Sequence, residues 1–144
     1  MDYEPYHVHT SYSNCLTQPD STMSIEDYAK VYRERGHHVL CISEHGNRSN
    51  VWQQFELANK YSDDNFKMTA LAAAETYFVE DRTVKDHRGY HLVLIAKNMN
   101  GFYQLNEILS EANLTGFYYH ARVDFELLRR LNYKDFVCTT ACVA

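Results

Sequence analysis

The sequence is poor in chain breakers, with two prolines and five glycines among 144 residues, and none of them cluster into a linker. It also has no internal repeat and no low-complexity run, so residues 1–144 read as one continuous unit about the size of a single domain. No apolar stretch approaches the length of a membrane span. The opening Met1-Asp2-Tyr3-Glu4-Pro5 has neither a basic nor an apolar signal region, so the expectation is a cytoplasmic protein with no membrane partner. A basic surplus is missing too: 14 Lys and Arg against 19 Asp and Glu give a net charge of -5. That excludes a free-standing nucleic-acid binder working through a broad basic face, so any contact with DNA falls to a local site or a larger protein. The four cysteines, Cys15, Cys41, Cys138 and Cys142, form no CxxC pair, which favours free thiols over disulfides and leaves one free to act as a ligand. There is no Gly-rich phosphate loop, Gly-x-Ser-x-Gly elbow or dinucleotide fingerprint, so phosphate chemistry here would fall to metal ions.

What the chain does have is 45% hydrophobic residues, arranged alternately in short apolar runs and helical stripes. Tyr6 to Val8 predicts a first strand. Ile25, Tyr28, Ala29 and Tyr32 predict a helix capped by Ser24 and Asp27 and stopped at Gly36. His38 to Ser43 has the β-branched density of a strand buried on both faces, and a helix follows from about Val51 to Tyr61. Thr69 to Ala74 is read as strand by length and position despite its alanines, continued by Thr76 to Val79, with Glu80 to Gly89 as an exposed loop. His91 to Ala96 is the clearest strand. Phe102, Leu105, Ile108, Leu109 and Ala112 form a helical stripe, Asp124 caps a short helix through Leu131, and Phe136 to Thr140 returns to strand. This alternation predicts an α/β fold with parallel strands, either doubly wound or barrel-like.

His7 and His9 lie two apart, so on extended chain both imidazoles face the same way. Alone, such a pair is more often surface or core histidine than metal site, and it gains weight from its company. His7 and His9 end the first predicted strand, Glu44 and His45 the second, Glu75 the third and Cys142 the last. Carboxyl ends of parallel strands are where ligands and catalytic groups gather. His91 is the exception, because it opens its strand. Glu75 follows three alanines, where an unpaired buried charge is costly and a cation would relieve it. Imidazoles mixed with carboxylates and one thiolate suit Zn²⁺, Mn²⁺ or Fe²⁺ better than Mg²⁺ or Ca²⁺. Clustered ions of that kind generate hydroxide and neutralise a phosphoester. His37, His38, His87 and His120 have no such placement and read as solvated or structural.

His7-Val8-His9-Thr10-Ser11-Tyr12-Ser13, Ser43-Glu44-His45-Gly46-Asn47, Ala74-Glu75-Thr76-Tyr77, Tyr90 to Asn98 and Gly116-Phe117-Tyr118-Tyr119 together resemble the PHP (polymerase and histidinol phosphatase) domain. The resemblance runs in order from Tyr6 to Ala144, in the version that begins bacterial DNA polymerase III alpha subunits. It implies a distorted (β/α)7 barrel holding up to three divalent ions, Zn or Mn, of which this chain carries the N-terminal portion. Carried over by motif, the implied metal ligands are His7, His9, Asp20, His45, Glu75, His91 and Cys142. Glu75 is the bridging carboxylate, and His9, His45 and Glu75 are the implied catalytic set. Asp20 takes the place of an Asp that follows the first motif, across a short insertion at Asn14 to Pro19.

This chain departs from the family in two places. Glu44 stands where the family has Asp, and the closing Asp-x-His motif is missing before Ala144, so an N-terminal fragment of a longer or split polypeptide is expected. The functions implied are a metal-dependent phosphoesterase of 3′-to-5′ exonuclease type within a DNA-directed DNA polymerase, its partners being DNA, the remaining polymerase domains and a proofreading or clamp subunit. A fragment lacking the closing ligands is expected to bind metal yet hydrolyse poorly. The alternatives are a non-catalytic scaffold that stabilises the polymerase and docks a proofreading subunit, or a free-standing phosphatase.

Overall fold

A computed structural model describes residues 3–14, 19–86 and 88–142. Cys15 and His87 lie outside the described residues, as do Val143 and Ala144. Helix α1 (Ile25–Arg35) begins at a capping box in which the Ser24 hydroxyl accepts from Asp27 N–H at 3.1 Å and the Asp27 carboxylate accepts from Ser24 N–H at 3.2 Å. It ends at Gly36, whose φ of 76° favours glycine. Ile25, Ala29 and Tyr32 make its buried stripe, packed on Leu40 and Ile42 of β1 (Val39–Ile42) and on Leu57 and Ala58 of α2 (Val51–Lys60).

The spine of the fold is β2 (Thr69–Phe78), one ten-residue strand that runs through the expected strand and its continuation, ending one residue short of Val79. Its first half pairs in parallel with β1, and its second half pairs antiparallel with β3 (Tyr90–Ala96). The final turn also pairs in parallel with β5 (His120–Val123), which forms a hairpin with β4 (Phe117–Tyr118). β6 (Phe136–Thr140) lies antiparallel to β3, giving the order β4-β5-β2-β3-β6 with β1 beside β2. The sheet is therefore mixed, and the expectation of parallel strands holds only for β1, β2 and β5. It does not close, so the architecture is an α/β sheet with helices and not a completed (β/α)7 barrel.

Tyr6 to Val8 is also corrected: it belongs to no strand. Pro5 lacks an amide donor and the chain turns at the 3₁₀ segment Ser11–Ser13, and this stretch is tied to the end of β1 by Ser43, whose N–H donates to Val8 C=O at 3.0 Å and whose hydroxyl lies 3.5 Å from it.

Alanines in β2 are explained by what covers them. Ala72 and Ala74 face α3 (Met99–Thr115) with Leu94 and Ala96, under Leu105 and Leu109, and small side chains let the helix sit close. Each buried leucine in that layer contributes about 1.5–3 kcal/mol, enough to override alanine's helical preference. The opposite face carries Cys41, Ala73, Val93 and Ile95. At the start of α3, a Cβ on Gly101 would stand 2.5 Å from the Asp135 carbonyl and 3.3 Å from Ala96 Cβ. Gly101→Ala is thus expected to cost about 1–3 kcal/mol, read as a lowered urea midpoint with an unchanged slope.

The loop after β2 is largely exposed, as its composition suggests, and two arginines clasp it. Arg122 is buried and donates to the carbonyls of Arg82, Val84, Asp86 and Gly116 at 2.7–2.9 Å. Arg82 is buried too, with Nη1 2.9 and 2.8 Å from the two oxygens of Asp124 and 2.8 Å from Glu126. Asp124 also caps α4 (Phe125–Leu128), accepting from Leu127 N–H at 3.1 Å. The expected helix through Leu131 is this one short turn.

Candidate metal centre

Three backbone features bring the candidate ligands together. The His7-Val8-His9 segment brings both imidazoles to Glu75 at the end of the sheet, where Ser43 holds Val8. Beyond β1, the chain continues along β2: Glu75 N–H donates to Glu44 C=O at 3.0 Å, and Gly46 N–H to Glu75 C=O at 2.8 Å, so His45 bridges Glu75. On the other edge of β2, Tyr77 lies opposite His91. Because β3 runs antiparallel, its first residues lie at the carboxyl end of β2. That resolves the exception, since His91 opens its strand and still stands where the parallel strands end.

The Glu75 side chain is 3% exposed and is the centre of the site. Its Oε2 is 2.8 Å from His7 Nε2, 2.9 Å from His9 Nε2 and 3.6 Å from His45 Nδ1, and its Oε1 is 2.8 Å from His91 Nδ1. The Nε2 atoms of His7 and His9 approach to 3.3 Å, the His9 and His45 rings stack at 4.3 Å, and Asp20 Oδ2 lies 3.4 Å from His45 Nε2. Burial opposes ionisation of Glu75, but hydrogen bonds from His9 and His7 and the charges of His45 and His7 outweigh it and hold the carboxyl at about 2. Burial, then His9, lowers the pKa of His45, which favours the neutral imidazole a metal requires.

Two ligand groups share the carboxylate: His7, His9 and Glu75, and His45, Glu75 and His91. That is a bridging arrangement. Ring nitrogens crowding one carboxylate are all potential lone-pair donors, and a divalent cation is the partner that satisfies them together. His45 Nδ1 supports this fit, being buried with no hydrogen-bond partner among the described residues and 3.6 Å from Glu75 Oε2. Nitrogen-rich ligands with one bridging carboxylate suit Zn²⁺ or Mn²⁺.

Of the residues singled out in the sequence, His7, His9, His45, Glu75 and His91 converge, and Asp20 meets them through His45. Cys142 does not join either group: it is exposed past β6, although Ala141 N–H donates to His91 C=O at 3.1 Å and so puts it at the same end of the sheet. Cys41 and Cys138 are likewise free thiols. Two side chains passed over in the sequence border the site. Tyr77 stacks on His45 at 5.7 Å and on His120 at 4.1 Å. Tyr77 was findable, since it is two residues past Glu75 on the same strand face. His120 was not, because the β4–β5 hairpin that presents it is too short to leave a periodic signal.

Comparison with known proteins adds a family context. A family profile described as "PHP domain" matches residues 5–144. Among curated proteins, the DNA polymerase III subunit alpha of Treponema pallidum (strain Nichols) is 28% identical over 148 residues, covering 100% of this chain and 12% of that protein. Its counterpart in Aquifex aeolicus (strain VF5) is 28% identical over 99% of the chain and 12% of its own length. The counterpart in Chlamydia pneumoniae is 28% identical over 100% and 11%. The chain thus spans about 12% of the length of these relatives.

Proposed function

The chain belongs to the PHP domain family, and from that premise we propose that it is the metal-dependent phosphoesterase unit of a replicative DNA polymerase, acting on 3′ ends of DNA. The observation that carries this reading is one buried carboxylate, Glu75, held within 2.9 Å of His7, His9 and His91 and 3.6 Å of His45. His7 and His9 with Glu75 would hold one divalent ion, and His45 and His91 with Glu75 a second. Cys142 and Asp20 are further ligands for a completed site, Asp20 by way of its place beside His45. Bound there, such ions supply a hydroxide at neutral pH and neutralise the charge of a phosphodiester.

The protein's own part is to keep those groups oriented. Glu75 stays ionised at any physiological pH, and the carbonyl and amide of its backbone are pinned by Gly46 and Glu44. The catalytic assignment of His9, His45 and Glu75 is part of the same proposal, as are DNA, the remaining polymerase domains and a proofreading or clamp subunit as partners, and a cytoplasmic location. Among the described residues no helix is long and apolar enough to cross a membrane.

The test is metal analysis of the purified chain by plasma mass spectrometry, with release of nucleotides from 3′-labelled single-stranded DNA. Bound zinc or manganese at stoichiometric level is the expected result, with cleavage that is weak in this chain, abolished by chelator and restored by metal. A chain free of metal under saturating Zn²⁺ and Mn²⁺ supports the scaffold reading instead.

A further inference from the structure

Glu44 is as buried as any residue in the protein, yet it touches no imidazole of the site. Its Oε1 accepts from the Thr10 hydroxyl and the Asn50 amide, and its Oε2 accepts from Thr10 N–H at 3.2 Å and the Ser13 hydroxyl. Among the described residues its donors are all neutral, and it belongs to neither ligand group. Ser13 Oγ in turn accepts from His45 N–H at 3.1 Å and lies 2.9 Å from His9 Nδ1.

Ser13 has one proton and Glu44, as a carboxylate, has none. With the Ser13 proton committed to Glu44, its oxygen can only accept from His9, which makes His9 Nδ1 the N–H side of the ring. When a cation takes the place of the hydrogen bond between His9 Nε2 and Glu75, the proton held at Nδ1 leaves Nε2 as a lone pair facing it. We propose that Glu44 and Ser13 are positioning residues that set the tautomer of His9, so that its Nε2 is offered to a divalent cation. The inference rests on reading His9 as a metal ligand. It explains why a carboxylate is sited beside the centre without joining it: an acceptor-only group at the end of the relay gives it direction. Outer groups that orient a ligating histidine in this way commonly contribute 10–100-fold in metal affinity.

Zinc affinity of the full 144-residue chain, measured by competition with a chromophoric chelator, tests the relay through Ser13→Ala, Glu44→Gln and the double variant. A glutamine at 44 that keeps its oxygen toward Thr10 and Asn50 turns an N–H toward Ser13, freeing the serine proton to point at His9 Nδ1 and opposing the required tautomer. Each single change is expected to weaken zinc binding by about 10–100-fold. If Glu44 acts through Ser13, adding Glu44→Gln to Ser13→Ala should change affinity by no more than about twofold, whereas independent effects would multiply.

In the zinc-loaded chain, His9 Nδ1–H is expected as an exchange-protected proton resonance that disappears in Ser13→Ala. This readout stands if Glu44→Gln fails to fold, because removing one hydroxyl at position 13 leaves the backbone bonds of the turn in place. Zinc affinity unchanged in both single variants, multiplying effects in the double variant, or a Nδ1–H signal indifferent to Ser13 would each overturn the relay. Failure of the unaltered chain to bind zinc overturns the metal reading itself, and the relay with it.

Discussion

Glu75→Ala is expected to abolish retention of divalent metal, weakening zinc or manganese binding by more than the roughly 100-fold that marks the upper end of outer-group effects. The magnitude follows from the carboxylate's place in both ligand groups. Its loss removes one ligand from each group at once, along with the buried negative charge shared by His7, His9, His45 and His91. Glu75→Gln separates charge from shape, since the amide fills the same volume and still accepts a hydrogen bond. If charge is what binds the ions, calorimetric titration should show the glutamine variant nearly as impaired as the alanine variant. Cleavage of 3′-labelled DNA should fall with metal content in both. Metal binding and thermal stability unchanged in Glu75→Ala would remove the basis for a metal centre and leave the scaffold role.

Asp124→Ala should be the most damaging change away from the site. Asp124 and Arg82 are both buried, and removing one partner of such a pair costs about 3–5 kcal/mol because the other charge is left in a poorly solvated place. Glu126, mostly exposed, still reaches Arg82 and keeps the loss toward the lower figure. The lost cap on Leu127 adds to it. A fall in melting temperature on the order of 10 °C is expected in calorimetry at pH 7.

The same pair sets a pH signature. Burial raises the Asp124 pKa, but hydrogen bonds from Leu127 and Arg82 and the arginine's charge more than offset it, so the net shift is downward. A carboxyl whose folded pKa lies below its unfolded value, about 3.9 for Asp, stabilises the fold above that value. The contribution is lost as pH falls through the folded pKa. The stability gap between the unaltered chain and Asp124→Ala should therefore be full at neutral pH and narrow steadily under acid. A gap constant down to pH ~3 would show that the pair contributes no differential protonation.

The elements legible in the sequence are those whose signal is local. The 3.6-residue stripe and caps of α1 and the apolar runs of β1 and β3 come through because burial of one face or of both leaves a periodic mark. The triple alanine in β2 is locally ambiguous, and only the closeness of α3 decides it as strand. Strand direction has no local mark at all, which is why the sheet was expected to be parallel and why the place of His91 was unexplained. The bonds of Glu44 were illegible for the same reason, since Thr10 and Ser13 lie 34 and 31 positions away, whereas the β4–β5 hairpin is local but too short to leave a period.

The amino-acid sequence by itself determined the chemistry available: which imidazoles, carboxylates and thiols could take a cation, and the period-two spacing that aligns His7 with His9. Tertiary structure alone decided who meets whom. An antiparallel β3 brought His91 to Glu75, the exposed end of β6 left Cys142 apart, and Glu44 was turned inward to Ser13 and Thr10 and away from the ring nitrogens. The reason is that ligand identity is a property of single side chains. Ligand geometry is set by strand pairing between residues tens of positions apart, and no local pattern encodes that.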